Sequence, residues 1–573
     1  MKWSLKNKKI PKHIDELKTI IFDNRVKKVD EKEFFNPTHP LELSLKDVGI
    51  DEKNLKLVIK RILKAKKNQE YIVIFGDYDA DGVCATAILW QTLYEMGCNV
   101  KPFIPHRKNH GYGVSVKAID AILADKKPDL VITVDNGIVA LEPIEYLKSK
   151  NVDVIITDHH QPEMKDGKPI FPKADYILHT SKLCGATVSW MLAREIEATD
   201  NSKKKLATES LDLCGLATIA DQVKLLGANR SFAKFGIEAM RKTKRVGLKL
   251  LFDKTIKDIA AINSDTVGYA IAPRINAMGR MGDGIVALRF LCTKSKSQAE
   301  KLVDILIETN DERKSLTYEL LNHAEKQIEL IKEENILIVH SELYHEGILG
   351  LIAGAMLEKH SKPSIAISMG KKFAKASVRS VPGVNIVEFL RTIRDDLIEV
   401  GGHPMAAGFG FDPNKLEKIK TRLFALAKKE ISVEMLVKEI ESECILPPEL
   451  FNDMTAELVE SFEPFGQGNR RPLFEFRDLE IIEIVSMGNE GGHLRISLRS
   501  LGDGESGNGD SKGGSSNARL KSIKAIGWRM GSLVDEYEPG DKVSVIGSLE
   551  FNDWNGRKYL QLILKDIKKQ SKA

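Results

Sequence analysis

The hydrophobic pattern of this chain is broken into short apolar runs, and several of them end on acidic residues. The first is Tyr71-Ile72-Val73-Ile74-Phe75. It is too short for a globular helix and rich in β-branched residues, which predicts a fully buried parallel strand. Gly76 turns the chain, and Asp77, Asp79 and Asp81 follow at alternate positions. From Val83 onward the apolar spacing (Ala85, Ala87, Ile88, Leu89, Trp90, Leu93) is helical. Further runs lie at Val100–Ile104, at Leu130–Val134 before Asp135-Asn136-Gly137, and at Val152–Thr157 before Asp158-His159-His160. A helix is predicted over Ala140–Lys148 between the last two. This alternation predicts a parallel sheet covered by helices, an α/β fold. In such sheets ligands bind at the carboxyl ends of the strands, where these acidic clusters fall.

The rest of the chain extends the pattern. Residues 1–68 are Lys-rich, with Pro37 and Pro40 in a loop and a helix predicted over Leu55–Leu63. They read as a lead-in that wraps the first domain, which covers 69–295. Asp221 closes the apolar stretch Leu211–Ala220 and needs a partner there. Residues 230–334 are mostly helical, and Ser297 to about Ile331 has the charged faces of a bridging helix (296–333). A second α/β domain spans 334–435; it begins at Asn335–Val339 and contains a strand predicted over Ser364–Ser368 and the segment Ala376–Ser380. From about Glu441 the pattern changes to short alternating strands: Leu473–Phe476, Ile481–Val485, Leu494–Leu498, Lys524–Gly527, Lys542–Leu549 and Tyr559–Leu564. That spacing predicts a small β-barrel of the OB type over 440–573. Residues 502–517 hold ten Gly or Ser in sixteen and read as a flexible insertion between strands.

Composition narrows the class only a little. With 573 residues the chain has room for several domains, and a net charge of +5 permits a nucleic-acid partner without requiring one. No apolar run approaches membrane-spanning length and the N-terminus lacks an apolar signal core, so no membrane association is expected. The six cysteines are scattered without a CxxC pair, which suits a reducing cytoplasm and excludes a disulfide framework.

The acidic clusters carry the chemistry. Crowded carboxylates repel one another, so a cation is the natural occupant. The turn begins like a calcium loop, but its twelfth position is Ile88 rather than Glu and a strand precedes it, which excludes an EF-hand. Asp77, Asp79, Asp81, Asp135, His159 and Asp221 together offer oxygen with little nitrogen and no sulfur. That donor set favours Mn²⁺ or Mg²⁺ over zinc, and there are enough acids for two ions sharing a carboxylate. Two such ions would catalyse phosphoester hydrolysis. His106-Arg107-Lys108-Asn109-His110-Gly111-Tyr112-Gly113 suits a loop that admits a phosphate, or is simply a solvated loop. Arg274, Asn276 and Arg280, set among small residues in IAPRINAMGRMGD, form either a salt-bridge hub or a phosphate clamp. His345 and His403 lack neighbouring cysteines and read individually as hydrogen-bonded structural histidines.

The segments GDYDADG, VDNG and TDHH with Asp221 resemble the DHH phosphoesterase superfamily. GYG after Pro105-His106-Arg107, PRINAMGR, HEGILG, SVRS, GGHPMAAGF and EPFGQGN, followed by a barrel, narrow the resemblance to its RecJ family of single-strand-specific 5′–3′ exonucleases, from about residue 45 to the end. The resemblance implies hydrolysis of single-stranded DNA in repair and recombination, with a helicase and a single-strand-binding protein as candidate partners. It assigns one metal to Asp77, Asp79 and Asp135, and the other to Asp81, Asp135, His159 and Asp221. His160 would contact the scissile phosphate with Arg280 assisting. Arg107, Tyr112, Ser377 and Arg379 would hold the 5′ end, and Arg274, Asn276, Gly402 and His403 complete the substrate-binding set. Two positions depart from the family pattern: Phe75 where some relatives carry His, and Ala228-Asn229-Arg230 where Glu-Asn-Arg is commoner. A DHH oligoribonuclease, a cyclic-dinucleotide phosphodiesterase and a non-catalytic replication scaffold remain as alternatives.

Overall fold

A computed structural model describes the chain except for residues 26–29, 112, 201–205, 489–490, 502–521, 555–556 and 571–573. Tyr112 and the predicted insertion 502–517 therefore lie outside the described residues. The chain divides into two compact units. One comprises Thr38–Val223 and Ala228–Lys438; the other comprises Met1–Pro37, Lys224–Gly227 and Glu439–Ala573.

In the larger unit the first apolar run forms β1 (Ile72–Phe75). It lies in a five-stranded parallel sheet with β2 (Val100–Phe103), β3 (Leu130–Val134), β4 (Asp153–Asp158) and β5 (Tyr176–His179). The strand order is β2-β1-β3-β4-β5. Alternation of side chains sends Ile72 and Ile74 into one hydrophobic cluster and Val73 and Phe75 into another, so both faces of β1 are buried. The order reverses between β1 and β3, and the crevice at the carboxyl ends of those two strands is the topological switch point. Asp77 to Asp81 and Asp135 follow those two strands directly.

Helix α1 (Ala80–Glu95) starts in that crevice because Asp79 caps it, accepting the Gly82 N–H at 2.9 Å. The apolar stretch ending at Asp221 is α3 (Leu211–Ala220), and it follows α2 (Gly185–Thr199) in the chain. Helix α4 (Ala272–Met281) carries the RINAMGR segment and packs on the long helix α5 (Lys296–Ile328). The second α/β sheet has the order Glu399–His403, Ala406–Phe411, Ala374–Arg379, Ser364–Met369 and Leu337–Ser341. Only its last pair is parallel.

In the smaller unit five strands close a barrel in the order Phe474–Met487, His493–Ser500, Ser522–Gly527, Arg557–Lys569 and Lys542–Trp554. Two expectations are corrected here. The separate strands Leu473–Phe476 and Ile481–Val485 are one strand, Phe474–Met487, which bends at register shifts against both neighbours. The lead-in also divides, because its first 37 residues belong to the barrel unit rather than wrapping the first domain. Lys2–Leu5 pairs in parallel with Glu439–Ser442, and Leu17, Ile20, Ile21 and Phe34 share a core with Phe462, Phe465 and Phe474. An amphipathic segment at the start of a chain does not record which distant core it will join.

Candidate metal centre

The strand ends gather the acids. Asp77, Asp81 and Asp135 are each at most 2% exposed, with His159 beside them. The Nε2 of His159 lies 3.1 Å from Asp135 Oδ1 and 3.7 Å from carboxylate oxygens of both Asp81 and Asp221. Ligand atoms of Asp81, His159 and Asp221 fall within 4.8 Å of one another, and so do those of Asp135, Asp158, His159 and His160. The backbone aims these groups. Asp135 sits at φ 60°, a left-handed conformation that Asp tolerates better than most residues and that concentrates at functional sites. Both oxygens of Asp81 accept N–H groups at the start of α2, from Gly185 and Ala186, at 2.7 Å each. A side chain at Gly185 would place its Cβ 2.4 Å from Asp135 Oδ1, so the close approach requires glycine.

Asp77 and Asp79 line the same turn, each spending one oxygen on a backbone N–H, from Tyr78 at 2.7 Å and from Gly82 at 2.9 Å. Burial and then the Asp79 charge push Asp77 up to about 7. Burial followed by Asp81 raises Asp79, and burial followed by Asp81 and Asp79 drives Asp221 up to about 8. Asp135 rises well above the carboxylate range for the same reasons, and burial lowers His159. Asp135 Oδ1 and His159 Nε2 are buried without a hydrogen-bond partner. A buried acidic site with bare ligand atoms and neutralised acids fits a divalent cation.

His160 is organised differently. Its Nδ1 lies 2.8 Å from Asp158 Oδ1. Burial would lower its pKa, but the bond and charge of Asp158 outweigh this and raise it to about 9. Asp158 is itself held below the usual range because those contacts, with N–H donors from Ile138 and His160, overcome its burial. Within the TDHH segment Asp158 is thus the anchor of a protonated His160, a role that residue types alone do not assign.

The arginines come next. Arg107 donates from Nε to the Gly279 carbonyl at 3.0 Å and covers the Tyr78 ring at 4.3 Å. Arg280 donates to the Gly347 carbonyl at 3.2 Å. Arg379 donates to Ser377 Oγ at 3.2 Å and to the Val378 carbonyl at 2.9 Å. Gly347 and Gly350 make room for them: Cβ atoms there would lie 2.1 Å from the Arg280 carbonyl and 2.7 Å from Arg379 Nη2. Burial, then the charges of Arg107 and Arg313, pull Arg280 down to about 10.

Other expected site residues are already engaged. The Asn276 amide oxygen accepts the Ala80 N–H at 2.8 Å, tying α4 to the metal turn, and Arg274 donates to the Ala270 carbonyl. His345 caps its own turn through Gly347 N–H at 3.1 Å. Gly402 and His403 are exposed on Glu399–His403, where His403 shares a register row with Ala406 and, one strand further, Arg379. That row spaces His403 about 10 Å from Arg379. Of the divergent loop, Asn229 Nδ2 donates to the Lys182 carbonyl at 2.9 Å.

The fold and this acidic site define a protein of the DHH class. Profiles of the DHH family N-terminal domain, the DHHA1 domain and the RecJ OB domain match residues 71–218, 333–429 and 442–566. The single-stranded-DNA-specific exonuclease RecJ of Thermus thermophilus is 31% identical over 90% of this chain and 71% of its own length. The Bacillus subtilis protein of that name is 32% identical over 90% of this chain, which spans 63% of that relative's length. The crystal structure of Thermus thermophilus RecJ with Mn²⁺ matches at TM-score 0.77 and 30% identity, covering 94% of this chain and 74% of that one. This chain belongs to the RecJ family.

Proposed function

We propose that this protein is a divalent-metal-dependent exonuclease that hydrolyses single-stranded DNA from the 5′ end, serving repair and recombination. The observation that carries the reading is the buried convergence of Asp81, Asp135, His159 and Asp221 beside a protonated His160. Those four residues would hold one ion, and Asp77, Asp79 and Asp135 a second. Bound there, Mn²⁺ or Mg²⁺ supplies Lewis acidity and a water acidic enough to act as nucleophile near neutral pH. The chain's own groups do the rest. His160, kept protonated by Asp158, donates to a non-bridging oxygen of the scissile phosphate, and Arg280 offsets the charge that develops there. Arg107 and Arg379, with Ser377, present forked donors suited to a terminal phosphate. The barrel is suited to holding the strand beyond the reacting nucleotide.

A reducing cytoplasmic setting accords with six free cysteines, and a helicase or a single-strand-binding protein would supply the strand. Among the described residues no helix is long and apolar enough to cross a membrane. The alternatives are separated by one substrate panel with Mn²⁺ or with chelator. Rapid, chelator-sensitive release of mononucleotides from single-stranded DNA is expected, with little turnover of cyclic dinucleotides. Preferential cleavage of RNA dinucleotides or of the cyclic substrate, or no turnover at all, would overturn the reading.

A further inference from the structure

Three side chains carried by α4 and α5 have polar atoms that are buried and bare. Asn310 is 1% exposed, and neither its amide nitrogen nor its amide oxygen has a partner. The Nε atoms of Arg313 and Arg274 are likewise buried without one. Asn310 and Arg313 are three residues apart on α5 and therefore share a face. Buried polar groups are almost always paired in folded proteins, so several bare donors together mark a place where something polar is received. The charge balance says what it is. Arg313 forms no ion pair among the described residues, and its charge adds to those of Arg107 and Arg379 around the partly buried Arg280. Around Arg280 three guanidinium charges are set against the single carboxylate of Asp79, an imbalance that an entering anion would relieve.

We propose that Arg313 binds a backbone phosphate of the single strand, and that the bare amide of Asn310, one turn earlier on the long helix, donates to the same group. The inference rests on the nucleic-acid reading above and adds a contact from the helix that joins the two α/β sheets. Asn310 and Arg313 stand outside every motif that pointed to the site. Arginine suits the task because its planar fork matches phosphate oxygens and it stays charged when partly buried.

The test is equilibrium binding of a 5′-phosphorylated oligothymidylate to the full chain in chelator, by fluorescence anisotropy across a salt series, with Tm recorded for each variant. Arg313→Gln should bind about tenfold more weakly at 0.1 M salt, as loss of one charge-assisted contact implies. Its slope of log K against log salt should be shallower by about 0.7, the increment for one phosphate on a single strand. Arg313→Lys should keep the wild-type slope. Asn310→Asp should behave like Arg313→Gln, because a carboxylate one turn away would take the guanidinium for itself. An Arg313→Gln protein with the wild-type slope overturns the proposal, whatever its Tm. If that variant does not fold, an Asn310→Asp protein with the wild-type slope overturns it instead. A wild-type chain without affinity for the oligonucleotide would defeat the nucleic-acid reading itself, a different result from an unchanged slope in the variants.

Discussion

Asp135 concentrates the chemistry of the site at one residue. Its backbone is held left-handed at φ 60°, its N–H is bonded to the Thr157 carbonyl at 3.0 Å, and one carboxylate oxygen is buried and bare beside His159. Asp135→Asn should leave the fold intact, since Asn tolerates that backbone equally well, yet remove the anionic oxygens shared by both proposed ions. Activity on single strands is expected to drop at least a hundredfold, the scale of several kcal/mol lost at the centre of charge stabilisation. Retention of a tenth of wild-type activity by a folded variant would contradict this. The pair Asp158–His160 makes a second prediction. His160 is raised to about 9 only because Asp158 outweighs its burial. Asp158→Asn leaves burial and the more distant acids, so the His160 pKa should fall and the pH-rate profile should lose its plateau on the alkaline side. An unchanged profile with unchanged rate would show that His160 is not needed in its protonated form.

At the scale of elements the site depends on how closely helices approach strand ends. Gly185 opens α2 with its N–H on Asp81 and its Cα against Asp135. Gly185→Ala should displace one carboxylate or the other and cost about a hundredfold in rate, as sub-ångström misplacement of catalytic groups does. The loss should exceed any change in Tm; a variant of normal activity would mean the approach is not tight. This contact also marks the limit of what the chain reveals by itself. The buried strand Ile72–Phe75 and the acids after it are legible because burial on both faces writes a continuous apolar run and chemistry writes the carboxylates. Gly185 is not legible, because a glycine that opens a helix looks the same whether or not an aspartate lies against it. The barrel strand Phe474–Met487 was legible only as two pieces, since its bulges interrupt the alternation that identifies a strand. Arg379 belongs at this scale too. Its guanidinium rests on Ser377 and Val378 of its own strand, and Gly350 leaves it space. Arg379→Ala should lower the preference for 5′-phosphorylated over 5′-hydroxyl strands about tenfold, the worth of one charge-assisted contact. Equal losses on the two substrates would remove it from end recognition.

For the whole molecule the acidic cluster links stability to pH and metal. Asp77 and Asp221 ionise at about 7 and about 8 in the folded chain, against an ordinary value of 3.8. Between those limits the folded state holds more protons than the unfolded one, so without metal stability falls as pH rises through the window. Below it both states are protonated and the penalty vanishes. A divalent ion should therefore raise Tm far more at pH 8 than at pH 5, and an equal rise at both would contradict the assignment of these acids as ligands. The central claim, that one buried acidic site opens single strands from the 5′ end, is tested most directly by following the fate of each end. Single-stranded DNA labelled at the 5′ or the 3′ terminus is digested with Mn²⁺, and products are resolved over time. The expected result is immediate release of the 5′ label as mononucleotide while the 3′-labelled strand shortens progressively, with blunt duplex untouched and chelator abolishing both. A 5′ label that persists on a shrinking ladder would reverse the polarity, and no release from either end would remove the exonuclease reading.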